Sequence, residues 1–175
     1  MRTLRKLSPL TKVGLASLAL AAPLAIAGHL NVVLKADLDG REEVNTSGTT
    51  AIVGDPDGRG EVYVFGIDAN ADVLCYVLLA KKIGELDMAP GNGRAAHIHA
   101  GVRGSNGPVV AALAWPQGGQ SGDCLDPATQ PARFPMGGSV VADIKANPQN
   151  YYVNVHNAEY PGGALRGQLG YATTD

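Results

Sequence analysis

Three of the chain's four histidines fall in two short segments, Ala96-His97-Ile98-His99-Ala100-Gly101 and Tyr152-Val153-Asn154-Val155-His156-Asn157. In both, aliphatic residues alternate with polar ones at a period of two, which is the pattern of a β-strand with one buried face. If Ile98, Val153 and Val155 point into a core, His97 and His99 share the outward face of one strand. Asn154 and His156 then share that of another. Two imidazoles on one strand face and a third from a neighbouring strand suffice to hold a metal ion. Zinc would need a fourth donor such as water. Asn154 and Asn157 flank His156 as candidate partners of the ligands, although asparagines at strand ends also form turns. The alternative for the histidines is structural, with the imidazoles bonded to loop carbonyls and carboxylates.

Other chemistry lacks a carrier. There is no G-x-S-x-G, no H-E-x-x-H and no catalytic cysteine context. Gly101 to Gly107 is glycine-rich but lacks the spacing of a dinucleotide or phosphate loop, so it reads as a connection between strands. Asn45-Thr46-Ser47 fits a glycosylation sequon, of use only in a eukaryotic secretory host. Six Tyr, two Phe and one Trp offer no obvious stacking platform for sugars.

The elements that must position the histidines are strands. Runs rich in Val, Leu, Ile and Tyr recur between clusters of Gly, Pro, Asp and Asn. Strands are expected at 30–38, 49–53, 61–67, 73–81, 96–100, 108–114, 140–144, 151–156 and 164–171. Asp55-Pro56-Asp57-Gly58 is expected to make a hairpin turn between the second and third. A turn or helical piece is expected at 146–150, and 116–138 reads as a long irregular connection. In the last strand Leu165 and Leu169 face one way, Arg166 and Gln168 the other. The expected fold is all-β, an antiparallel Greek-key sandwich or barrel.

Arg2, Arg5, Lys6 and Lys12, the apolar run 13–22 and Ala25-Ile26-Ala27 match a signal peptide over residues 1–27. A single β domain is expected over 28–175, with no stable membrane insertion after cleavage. The leader holds four of the 14 Lys and Arg and none of the 16 Asp and Glu, so the rest carries a formal charge of −6. That balance argues against nucleic acid or anionic lipid as partner. Cys75 and Cys124, an even pair in an exported chain, read as one disulfide. Closing a loop of about 50 residues is worth roughly 4 kcal/mol in the chain-entropy picture.

Three segments carry a resemblance. His97-Ile98-His99-Ala100-Gly101, Gly107-Pro108-Val109-Val110, and Tyr151 to Asn157 followed by Pro161-Gly162-Gly163-Ala164-Leu165-Arg166-Gly167-Gln168-Leu169 resemble the chordin-type (CHRD) domain over about 34–170. The resemblance implies a short exported protein of the bacterial type, secreted or in the periplasm and cell envelope. That family is in turn weakly similar to Cu/Zn superoxide dismutase. This implies His97, His99 and His156 as copper ligands, and Arg166 as the arginine that guides superoxide. The chain lacks the dismutase's bridging and zinc ligands, since only His29 remains, and its cysteines do not follow the dismutase disulfide. A plainer role for Arg166 is bonding to a neighbouring turn or to Asp143 or Glu159.

Two functions are therefore expected. The first is a non-enzymatic extracytoplasmic module that binds an unspecified protein or envelope component. The second is a protein that binds Cu(I) or Cu(II) through the three histidines, for storage, delivery or weak dismutase-like redox chemistry.

Overall fold

A computed structural model describes residues 32–67, 70–84 and 95–172. The expected leader, its cleavage point and His29 lie outside these. The described chain forms β1 (Val33–Asp39), β2 (Arg59–Ile67), β3 (Asn70–Lys81), β4 (Ala96–Ala100), β5 (Val109–Ala112), β6 (Gln120–Leu125), α1 (Val140–Ala146), β7 (Tyr151–Val155), β8 (Leu165–Gln168) and β9 (Gly170–Tyr171). The strands run in the order β5-β4-β7-β8-β1-β2-β3-β6, with β9 also paired to β1. Every pairing is antiparallel.

The meander β1-β2-β3 with β8 returning beside β1 is a Greek-key type of connection. One hydrophobic cluster draws from strands along the whole path: Leu34, Val62 and Leu78 from β1 to β3, Ile98 and Val110 from β4 and β5, Leu125 from β6, and Val153 and Leu165 from β7 and β8. A sheet whose inner face meets in one cluster must curl upon itself. The all-β expectation is met.

Four local expectations fail. Residues 49–53 form no strand, and Ile52 and Val53 stay exposed. The Asn45 side chain occupies that backbone instead, donating to Ala51 O at 2.7 Å and accepting from Ser47 N at 2.8 Å. Asp55 still makes a turn, its carboxylate accepting from Gly58 N at 3.0 Å, but only the strand after it exists. Residues 140–144 are helical. Val141 and Ile144 are both fully buried, and a spacing of three puts them on one face of a helix but on opposite faces of a strand.

Inside the expected connection 116–138 lies β6, paired with β3 so that Cys124 stands directly opposite Cys75. The two form a disulfide. A ladder and a covalent link hold this strand, and Leu125 is its single buried side chain.

Candidate metal centre

Strand alternation places the histidines as expected. Ala96 and Ile98 enter the core while His97 and His99 take the opposite face of β4. In β7, Tyr151, Val153 and Val155 enter the core, leaving Tyr152 and Asn154 on the outer face. His156 follows directly, its backbone N–H bonded to Ala95 O at 2.7 Å. Register then lines up two rows on this face. His97 stands opposite Asn154, Asn154 opposite Arg166 and Arg166 opposite Asp39. His99 stands opposite Tyr152, and Tyr152 opposite Gln168.

The three imidazoles converge. One ring nitrogen from each of His97, His99 and His156 lies within 4.8 Å of the others. Ring centroids are 5.5 Å apart for His97 and His99, 5.2 Å for His97 and His156, and 6.4 Å for His99 and His156. His99 Nδ1 lies 2.9 Å from Gly107 O, and His156 Nδ1 lies 3.1 Å from Pro161 O. A carbonyl only accepts, so each Nδ1 carries the proton and each Nε2 carries the lone pair. Both Nε2 atoms are buried without a hydrogen-bond partner.

Burial pushes both rings below the ordinary imidazole pKa, outweighing the Gly107 and Pro161 carbonyls. His156 and Arg166 add a smaller depression at His99. The unprotonated imidazole that results is the form that ligates a metal. A nitrogen donor bound in the same way through its other ring nitrogen is how metal histidines are held in orientation.

The face is outward with respect to the core, yet it is largely covered, with His99 and His156 half-buried. His97 is 6% exposed, Asn154 4% and Arg166 2%. Loop 101–107 covers it through Arg166, whose Nη1 donates to Asn106 Oδ1 at 2.9 Å and Nη2 to Ser105 O at 2.6 Å. The Arg166 guanidinium also sits 3.5 Å from the centre of the Tyr152 ring. Tyr152 in turn stacks on His99 at 4.8 Å and 11°. From the far side comes Glu43, whose Oε2 accepts from Asn154 Nδ2 at 3.4 Å. It packs against bare backbone, since a Cβ on Gly163 would lie 2.4 Å from Glu43 Oε1. Burial raises the Glu43 carboxyl to about 7 in spite of the nearby Arg166 charge and the Asn154 bond.

Arg166 thus meets a turn, as the plainer expectation had it, while the carboxylates in its field are Glu43 and, more weakly, Glu42. Asp143 instead accepts from Tyr151 and Asn147. Asn154 stands among the site residues. Asn157 is a turn former, donating to Ile83 O and accepting from Tyr160 N at 2.7 Å. Tyr152, Glu43 and Asn106 were not singled out from the sequence. Tyr152 shares the period of Asn154 and was open to the same argument, whereas Glu43 and Asn106 sit in loops with no period to mark them.

The fold and face together define an all-β domain, disulfide-linked, with three histidines gathered on one sheet face. The family model of the CHRD domain matches residues 34–169, and the chain belongs to that family. No curated protein and no solved structure matches it. The likeness to Cu/Zn superoxide dismutase has no match behind it.

Proposed function

We propose that the protein is an exported CHRD module, residues 28–175 after loss of the leader 1–27, that binds one copper ion through His97, His99 and His156. The convergence of three ring nitrogens within 4.8 Å supports this reading. Three donors each about 2.0 Å from one ion in a trigonal site lie about 3.5 Å apart, so the nitrogens would close on one another by up to about 1.3 Å to complete the set. Three neutral nitrogens without a carboxylate or thiolate suit copper, and Cu(I) accepts a three-coordinate site more readily than Zn(II), which would need a water. Bound copper would supply a one-electron redox couple. The chain's own contribution is to orient two of the rings and to keep the face covered.

Storage or delivery of copper outside the cytoplasm fits a covered site better than turnover does, and no residue is assigned a catalytic role. The disulfide fits an oxidising compartment. No helix among the described residues is long and apolar enough to cross a membrane. Copper titration against a competing chelator tests the reading. The protein is expected to bind one equivalent tightly, and His97→Ala/His99→Ala/His156→Ala to lose it. Equal, weak binding by both would leave the second reading, a metal-free module whose histidines brace loops 101–107 and 157–163 for an envelope partner.

A further inference from the structure

We infer that Arg166 is a positioning residue for the histidine centre: by fixing loop 101–107 it makes the Gly107 carbonyl hold the His99 ring with its Nε2 lone pair available to an ion. The inference rests on the trihistidine reading for its metal consequence, but its geometry stands apart from any metal. Six residues close a ring of contacts. Arg166 grips the loop at Ser105 O and Asn106 Oδ1. The next residue, Gly107, is pinned at both backbone atoms: its N–H donates to the Tyr152 hydroxyl at 3.2 Å and its carbonyl accepts from His99 Nδ1. Tyr152 lies flat on His99, and the guanidinium lies over Tyr152, which returns the ring to Arg166.

The loop has little freedom to find this carbonyl position without help. Its base is closed by Ala100 N donating to Pro108 O at 3.0 Å. A Cβ on Gly107 would lie 1.6 Å from Ala100 O, so only bare backbone passes there. The intervening residues carry no buried apolar anchor, and Val102 is 54% exposed. Besides the surface ion pair of Arg103 with Glu42, what holds the tip is the planar two-donor fork of Arg166, which a lysine cannot reproduce. His156 provides an internal reference. Its Nδ1 bonds Pro161 O in a different loop, which Arg166 does not touch.

This role differs from attraction of a diffusing anion. Arg166 is 2% exposed, and both terminal nitrogens are engaged by the loop. Its action on the centre runs through Gly107 and Tyr152 to the orientation and tautomer of one ring.

The test is Arg166→Lys in the full chain, which keeps the positive charge facing Glu43 while removing the fork. Long-range proton–nitrogen NMR of the metal-free protein reads each imidazole tautomer. Wild type is expected to show Nδ1–H at both His99 and His156, and the variant to lose that preference at His99 alone. Copper affinity by chelator competition is expected to fall about 10- to 100-fold, the usual effect of removing the support behind a ligand. Asn106→Ala, which removes one of the two loop bonds, and Tyr152→Phe, which keeps the stack but not the hydroxyl, serve if Arg166→Lys does not fold. Each is expected to shift His99 and spare His156. An unchanged His99 tautomer in the folded variants overturns the positioning role whatever the copper affinity. A His99 shift in a protein that binds no copper supports the positioning role and overturns the copper reading instead.

Discussion

At the level of single residues, two opposite proton linkages meet on the covered face. His99 and His156 titrate lower in the folded protein than in the unfolded chain because burial disfavours the imidazolium. The unfolded chain then binds more protons in the interval between, so their contribution is complete above about pH 6.5 and is lost as pH falls through the folded values. Metal-free protein is expected to lose melting temperature below about pH 6.5, and the His99→Ala/His156→Ala variant to lose less of it. Glu43 runs the other way. Its carboxyl is raised to about 7 by burial, so its contribution is complete below the unfolded value and is lost as pH rises through 7. Glu43→Gln is therefore expected to gain stability relative to wild type between pH 5 and pH 8, by on the order of 2 kcal/mol after allowance for solvent screening. Thermal melts at the two pH values check it, and a gain that is equal at both would discard the buried-carboxylate account. The histidines were legible in the sequence because alternation with Ile98, Val153 and Val155 fixes their face. Glu43 was not, because it reaches that face from a loop, where no period records direction.

At the level of elements, the errors share a cause. Residues 116–138 look like a connection because β6 buries only Leu125, and a strand held by its ladder and a disulfide leaves no apolar alternation to read. Residues 140–144 carry apolar side chains that fit either period, and only packing of Val141 with Ile144 against the core chooses the helix. Replacing Cys75 and Cys124 with alanine is expected to cost up to about 4 kcal/mol. Amide exchange should quicken in β6 before it does in β1 or β2, because β6 lies at the end of the sheet path and has one neighbour. Uniform quickening across the sheet would mean that the bridge braces the whole domain. Gly107→Ala places a methyl against the Ala100 carbonyl. The variant is expected to lose the loop's docked position, with the His99 tautomer preference lost and little change in far-ultraviolet circular dichroism.

For the whole molecule, the order of strands was the least legible feature. Composition and turn residues announce a β domain, but the pairing of β4 with β7 and of β3 with β6 joins segments far apart in the chain, and nothing local encodes it. The core that results is shared, so damage beneath the site should travel. Ile98 is fully buried between His97 and His99, and Ile98→Ala is expected to cost about 2–5 kcal/mol. Its copper affinity should fall as well, since the two rings lose the strand that spaces them; unchanged affinity in a destabilised variant would show a centre independent of the core. β4 and β7 also set a chronology. The chain between them holds β5, β6, the bridging Cys124 and α1, and until all of it has been laid down a newly made chain has only two of the three site histidines, His97 and His99. On the copper reading, loading waits on the closure of one ladder, because the third ligand reaches the other two only when β7 has paired with β4.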